Sequence, residues 1–294
     1  MSETQNFKIQ HLPRLLVAAG KSWFDGAPFQ RSAIVAYYAV LSLPALVIII
    51  LKVVGSFWGE DIVQGELLSE ISRAIGPDAA DAIRTMIANQ SGAKTSVFAT
   101  VIGIGTLLYG STGVFFQLQS ALDTIWEQEP SYKNDVVATL MSRVKSFGFI
   151  LILGFLLLTS FILTSLLSTF SKQLNRFLPD NLFDYVFVVD FLVSVGFIYI
   201  LFATMFKYLP SAKISWPSVR VGAALTTLFF LIGKYLLALY FNTMEPGSTY
   251  GAAGSIILIM LWVSYSSLIL LYGAHFTKAY ADDYVSGDYI TGKD

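Results

Sequence analysis

Apolar residues along this chain gather into six long blocks, at about 31–57, 96–118, 143–170, 184–209, 217–243 and 251–280. Each block is longer than a strand or an ordinary core helix and lacks regular polar alternation. A helix rises about 1.5 Å per residue, so roughly 20 apolar residues cross a hydrocarbon core about 30 Å thick. The pattern predicts an all-α integral membrane protein with six transmembrane helices. An even number of crossings puts both ends of the chain on one side. The predicted organisation is a segment 1–30, a single transmembrane domain 31–281 and a tail 282–294.

Between the blocks, two regions have helical periodicity. In the first 30 residues Phe7, Leu12, Leu15, Leu16, Ala19 and Trp23 recur at helical spacing among Lys8, Arg14 and Lys21. This predicts an amphipathic helix, either lying on the inner leaflet or packed on the cytoplasmic face of the bundle. The spread of basic residues and the lack of a compact apolar core argue against a cleavable signal peptide. The connection 58–95 is divided by Gly76-Pro77-Asp78. Leu67, Leu68, Ile71 and Ile75 precede the break, and Ala82, Ile83, Met86 and Ile87 follow it. The prediction is a short periplasmic helical hairpin between spans 1 and 2.

Charge orients this arrangement. Lys8, Arg14, Lys21, Arg31, Lys133, Arg143, Lys145, Lys207, Lys213, Arg220, Lys278 and Lys293 fall on the side of the termini. The opposite connections carry Arg73, Arg84, Lys94, Lys172 and Arg176. Basic loops are retained in the cytoplasm, so both termini are expected there. A net charge of −1 excludes nucleic-acid binding by bulk electrostatics. With no cysteine, disulfides, thiolate ligands and cysteine nucleophiles are excluded as well.

Polar residues inside the blocks are the candidate functional positions. Asp190 in the fourth block and Lys234 in the fifth lie about six and nine residues from the same face. An ionisable group in a bilayer is costly and normally has a partner, so the two are expected to pair, structurally or along a translocation path. Lys52, near a block end, is expected to snorkel. His275 reads as an interhelical hydrogen-bonding group or a pH-sensitive gate. Tyr37, Tyr38 and Ser42 of the first block are expected to meet Tyr265, Ser266 and Ser267 of the last. They would either bond across helices or line a polar cavity.

Gly110 and Gly113, and Gly251 and Gly254, permit close helix packing or a local break. Gln117 to Trp126 reads as a helix leaving the membrane, with Trp126 at the headgroup boundary. Asp123, Glu127 and Glu129 read as a solvated acidic face. The Gly110–Gly113 run lacks the lysine and strand-to-helix context of a phosphate loop. Two histidines are too few for an evident metal-dependent nuclease centre. No cofactor, metal site or catalytic residue is expected.

Four stretches carry a family resemblance: Ala36–Pro44 (AYYAVLSLP), Tyr109–Trp126 (YGSTGVFFQLQSALDTIW), Phe206–Pro210 (FKYLP) and Tyr250–Tyr280. They resemble the YihY or BrkB family of bacterial inner-membrane proteins, once labelled ribonuclease BN. The resemblance implies six crossings with cytoplasmic termini, and roles in envelope-lipid or small-solute transport rather than the old nuclease label. Similar proteins usually read Gly-Ala-Glu-Phe where this chain has Gly273-Ala274-His275-Phe276. The expectation is a multi-pass inner-membrane protein that moves a lipid or small solute. A non-transporting envelope scaffold that binds an envelope protein is the alternative. Membrane lipids are expected partners in either case.

Overall fold

The computed structural model describes residues 9–75, 80–81, 83–85, 87–88, 97–128, 183–244 and 254–285. Among them every regular element is helical. A short turn Ile9–His11 leads into α1 (Leu12–Asp25), followed by α2 (Pro28–Trp58), α3 (Glu60–Ile75), α4 (Val97–Ile125), α5 (Phe183–Tyr208), α6 (Trp216–Met244) and α7 (Gly254–Tyr284). The five longest helices coincide with five of the six apolar blocks. The block 143–170 lies outside the described residues, as do Gly251 and the side chains of Lys52 and Asp190.

Helix boundaries follow local chemistry. Pro28 opens α2, where its missing N–H costs nothing. Gly59 closes it at φ 91°, a conformation that a side chain would strain, and donates its N–H to the Gly55 carbonyl at 2.7 Å. Glu60 and Asp61 then begin α3, where negative charge complements the helix dipole. Pro210 interrupts the chain between α5 and α6, and Pro217 sits in the first turn of α6.

Among the described residues, three helices contain stretches long and apolar enough to cross a membrane: Phe191–Tyr208, Trp216–Phe241 and Ile256–Tyr284. Many of their exposed side chains are large and apolar, including Phe191, Leu192 and Ile200 on α5 and Leu228, Ile232, Leu236 and Leu239 on α6. Surfaces of that kind are rare on soluble monomers and natural against lipid.

The chain forms two compact units. The first draws on residues within 1–20, 122–228 and 272–294, the second on residues within 21–121 and 229–271. In the first unit, Leu15 and Ala19 of α1 are buried against Phe276 of α7, with Leu12, Leu16, Val221, Leu225 and Tyr272 around them. Tyr272 donates to the Leu16 carbonyl at 3.0 Å, and the Tyr284 hydroxyl lies 2.7 Å from Nδ1 of His11. Of the two readings of the amphipathic segment, packing on the helices is the one observed for this face.

In the second unit, Leu51 of α2, Val63 and Leu68 of α3, and Ala80 and Ile83 form a buried cluster joined by Leu67 and Ile87. Leu67 and Leu68 before Gly76-Pro77-Asp78 and Ile83 and Ile87 after it therefore pack together with the end of α2.

Candidate functional site

Polar side chains in the second unit concentrate where α2, α4 and α7 present buried faces. Ser32, Ser42, Thr112, Gln119 and Ser267 are all buried there. Ser264 of α7 donates to Ser32 of α2 at 3.1 Å, and Ser32 donates to the Phe29 carbonyl at 3.0 Å. Ser42 donates to the Ala39 carbonyl at 3.0 Å. In each case a hydroxyl on an apolar helix finds an acceptor, as burial demands.

The first and last blocks meet through Ser32 and Ser264, which the expectation did not name. Tyr38 and Ser42 pack on α4. A methyl group at Gly113 would overlap the Tyr38 ring, and one at Gly110 would lie 3.1 Å from the Ser42 backbone nitrogen. α4 runs unbroken through both glycines, so they serve close approach rather than a break. Tyr265 meets α6, its hydroxyl 2.8 Å from where a methyl on Gly233 would stand, and Phe230 meets Trp262 edge-on at 6.3 Å. Tyr37 is exposed, Gln117, Ser266 and His275 are half-buried, and Gly254 is buried at the start of α7.

Lys234 is exposed beside Tyr235 and Leu236 rather than turned into the bundle. Its expected pairing with Asp190 lies outside the described residues on the aspartate side.

The first unit holds polar contacts that sequence reasoning missed. α4 continues to Ile125, seven residues beyond the predicted block, because Leu122, Ile125 and Trp126 are all buried. Trp126 is 1% exposed, which corrects its placement at the headgroup boundary: it is a core residue. Asp123 is half-buried and does more than face solvent. Its carboxylate accepts the Ser211 N–H at 2.6 Å and the Ser211 hydroxyl at 3.0 Å, a charge-assisted grip on the α5–α6 turn. Glu127, at φ 53°, accepts from Lys278 of α7 at 2.5 Å. Asp123, within the Tyr109–Trp126 stretch, and Glu127, just beyond it, therefore reach Ser211, next to Phe206–Pro210, and Lys278, within Tyr250–Tyr280. Only the sequence proximity of these acids to those stretches could have suggested it.

α6 and α7 meet through Gly222, Thr226, Gly273 and Thr277, each buried. The two Gly-x-x-x-Thr spacings were readable as small-residue packing motifs. Among the described residues, no three His, Asp or Glu side chains converge as a metal site requires.

Long helices, apolar outward faces and internally satisfied hydroxyls define a helical membrane protein. Residues 23–292 match the family model described as virulence factor BrkB, and the chain belongs to that family. It is 23% identical to a UPF0761 membrane protein of Histophilus somni, over 86% of this chain and 85% of that one. It is 25% identical to one of Haemophilus influenzae, over 83% and 87%. A further relative, from Idiomarina loihiensis, is 25% identical over 60% of each chain. No solved structure matches the chain.

Proposed function

We propose that this chain is a six-span inner-membrane protein, with both termini cytoplasmic, that moves a lipid or small solute across the membrane. The observation that carries this reading is the set of buried polar side chains on α2, α4 and α7 of the second unit. Ser32, Ser42, Thr112, Gln119 and Ser267 are buried on helices that are otherwise apolar. Anchoring in lipid does not require them, and a buried glutamine amide needs several hydrogen-bond partners. Such a set offers exchangeable donors and acceptors to a polar group in transit. The sequence carries no Walker-type phosphate loop, and in this reading movement is passive, ion-coupled or driven by a partner.

Reconstituted vesicles containing a fluorescent phospholipid and a panel of small osmolytes test this. Movement by wild type, lost in Thr112→Val and Gln119→Leu variants that still fold, supports a path along these side chains. No movement of any probe sinks the reading.

A non-transporting envelope scaffold is the second reading. The Ser32–Ser264 bond favours it, because hydroxyls committed to each other act as interhelical ties.

A further inference from the structure

The α5–α6 turn is shaped from within. α5 ends at Tyr208 and α6 begins at Trp216, each at the end of a stretch long enough to cross a membrane, so residues 209–215 lie at a membrane surface. Asp123 holds Ser211 by two hydrogen bonds. Lys207 donates to the Ile214 carbonyl and stands 5.6 Å from the centroid of the Trp216 ring. Leu209, Pro210, Ala212 and Ile214 are buried, while Ser211 and Lys213 are exposed.

What the braced turn presents is amphipathic and cationic. Tyr208 and Trp216 are exposed and meet edge-on at 6.4 Å. Lys213 and Arg220 are exposed, and no described residue places a carboxylate against either. From Trp216 an exposed stripe runs down α6 through Arg220, Ala224 and Leu228 in steps of four residues, about 6 Å each. The opposite face, with Ser218, Val219, Gly222 and Ala223, is buried.

We propose that this stripe binds an anionic glycerophospholipid. Arg220 and Lys213 take its phosphodiester, Trp216 and Tyr208 sit at the level of its esters, and an acyl chain lies along Ala224 and Leu228. A neutral lipid gains nothing from the two cations, and a soluble phosphate gains nothing from the apolar stripe. Lys207 is engaged by Ile214 and Trp216, so its role is to brace the turn. The inference needs the membrane reading but not the transport reading, and its failure leaves transport untouched.

The absence of native cysteine allows a single bimane label at Ala224→Cys in the full chain, reconstituted in mixed vesicles. Quenching by doxyl-labelled phosphatidylglycerol is compared with quenching by doxyl-labelled phosphatidylcholine. Leu192→Cys, on the exposed face of α5, reports ordinary surrounding lipid. A preference for phosphatidylglycerol is expected at 224 and not at 192. Arg220→Gln and Lys213→Gln should each reduce it about fivefold, added salt should weaken it, and Arg220→Lys should keep most of it. Equal quenching by both lipids, or a preference that survives both glutamine substitutions together, overturns the proposal. So does displacement by soluble glycerol 3-phosphate, which would mark a site for soluble anions. If Arg220→Gln does not fold, the Lys213→Gln variant in the turn decides alone.

Discussion

Gly222 of α6 and Thr277 of α7 are in such close contact that a methyl on the glycine would overlap the threonine side chain, and Gly273 and Thr226 repeat the contact with the helices exchanged. Each threonine also donates to the carbonyl four residues earlier at 2.7 Å, Thr226 to Gly222 and Thr277 to Gly273. The two helices therefore cross on a reciprocal pair of small residues. Gly222→Ala should destabilise the protein by about 1–3 kcal/mol, as overpacking does. Thr277→Ala in the same chain should offset part of the loss, giving a measurable coupling energy. Gly196→Ala, where nothing lies within 4 Å, should be neutral or slightly stabilising. Unfolding by sodium dodecyl sulfate in mixed micelles measures all three, and equal losses at positions 222 and 196 would refute the crossing.

Helix positions were legible because apolar blocks of this length have few alternatives. The ends of α2, α5 and α6 fall within a few residues of the blocks at 31–57, 184–209 and 217–243. α4 runs past its apolar block to Ile125, as the helical reading of 117–126 anticipated, with Leu122, Ile125 and Trp126 buried between Asp123 and Thr124. The Asp123–Ser211 contact spans 88 residues, and no local pattern encodes such a partner. Hydroxyl positions such as Ser42 and Tyr38 were visible as polar exceptions. Their neighbour on α4 depends on how the helices rotate, which one sequence does not state.

Asp123 should control the order of the α5–α6 turn. Asp123→Ala removes two hydrogen bonds to Ser211, one of them from a backbone N–H. Hydrogen bonds to a charged acceptor contribute about 1.5–3 kcal/mol, at the low end where the site is partly wet. Hydrogen exchange should show faster exchange of the Ser211 amide in Asp123→Ala. Ser211→Ala, which keeps the amide bond, should exchange nearly as wild type. Unchanged exchange in Asp123→Ala would mean the turn is held by its apolar residues.

The docking of α1 rests on one apolar cluster and the polar contacts of Tyr272 and Tyr284, so it should be separable from the fold. Leu15 is 1% exposed against Phe276, and Leu15→Ala removes a buried side chain at a cost of about 2–5 kcal/mol. A single helix held by one cluster is expected to release locally before the remaining helices unfold. Limited proteolysis should cut Leu15→Ala within 9–25 at protease levels that leave wild type intact. Tyr284→Phe, which loses only the 2.7 Å contact to His11, should have a smaller effect.

Gly110 and Gly113 both face α2, yet they should respond differently to the same substitution. At Gly113 the obstacle is the Tyr38 ring, a side chain that can be shortened. At Gly110 the nearest atoms are backbone, Ser42 N at 3.1 Å and Leu41 C at 3.3 Å, and no side-chain change removes them. Gly113→Ala should therefore couple strongly to Tyr38→Ala in a double-mutant cycle, by about 0.5–3 kcal/mol. Gly110→Ala should add independently to Ser42→Ala, because the contact it strains is still present. The Ser42 substitution has its own small cost, since its hydroxyl already bonds within α2 to Ala39. Coupling at both positions, or at neither, would mean that the approach of α4 to α2 is set elsewhere.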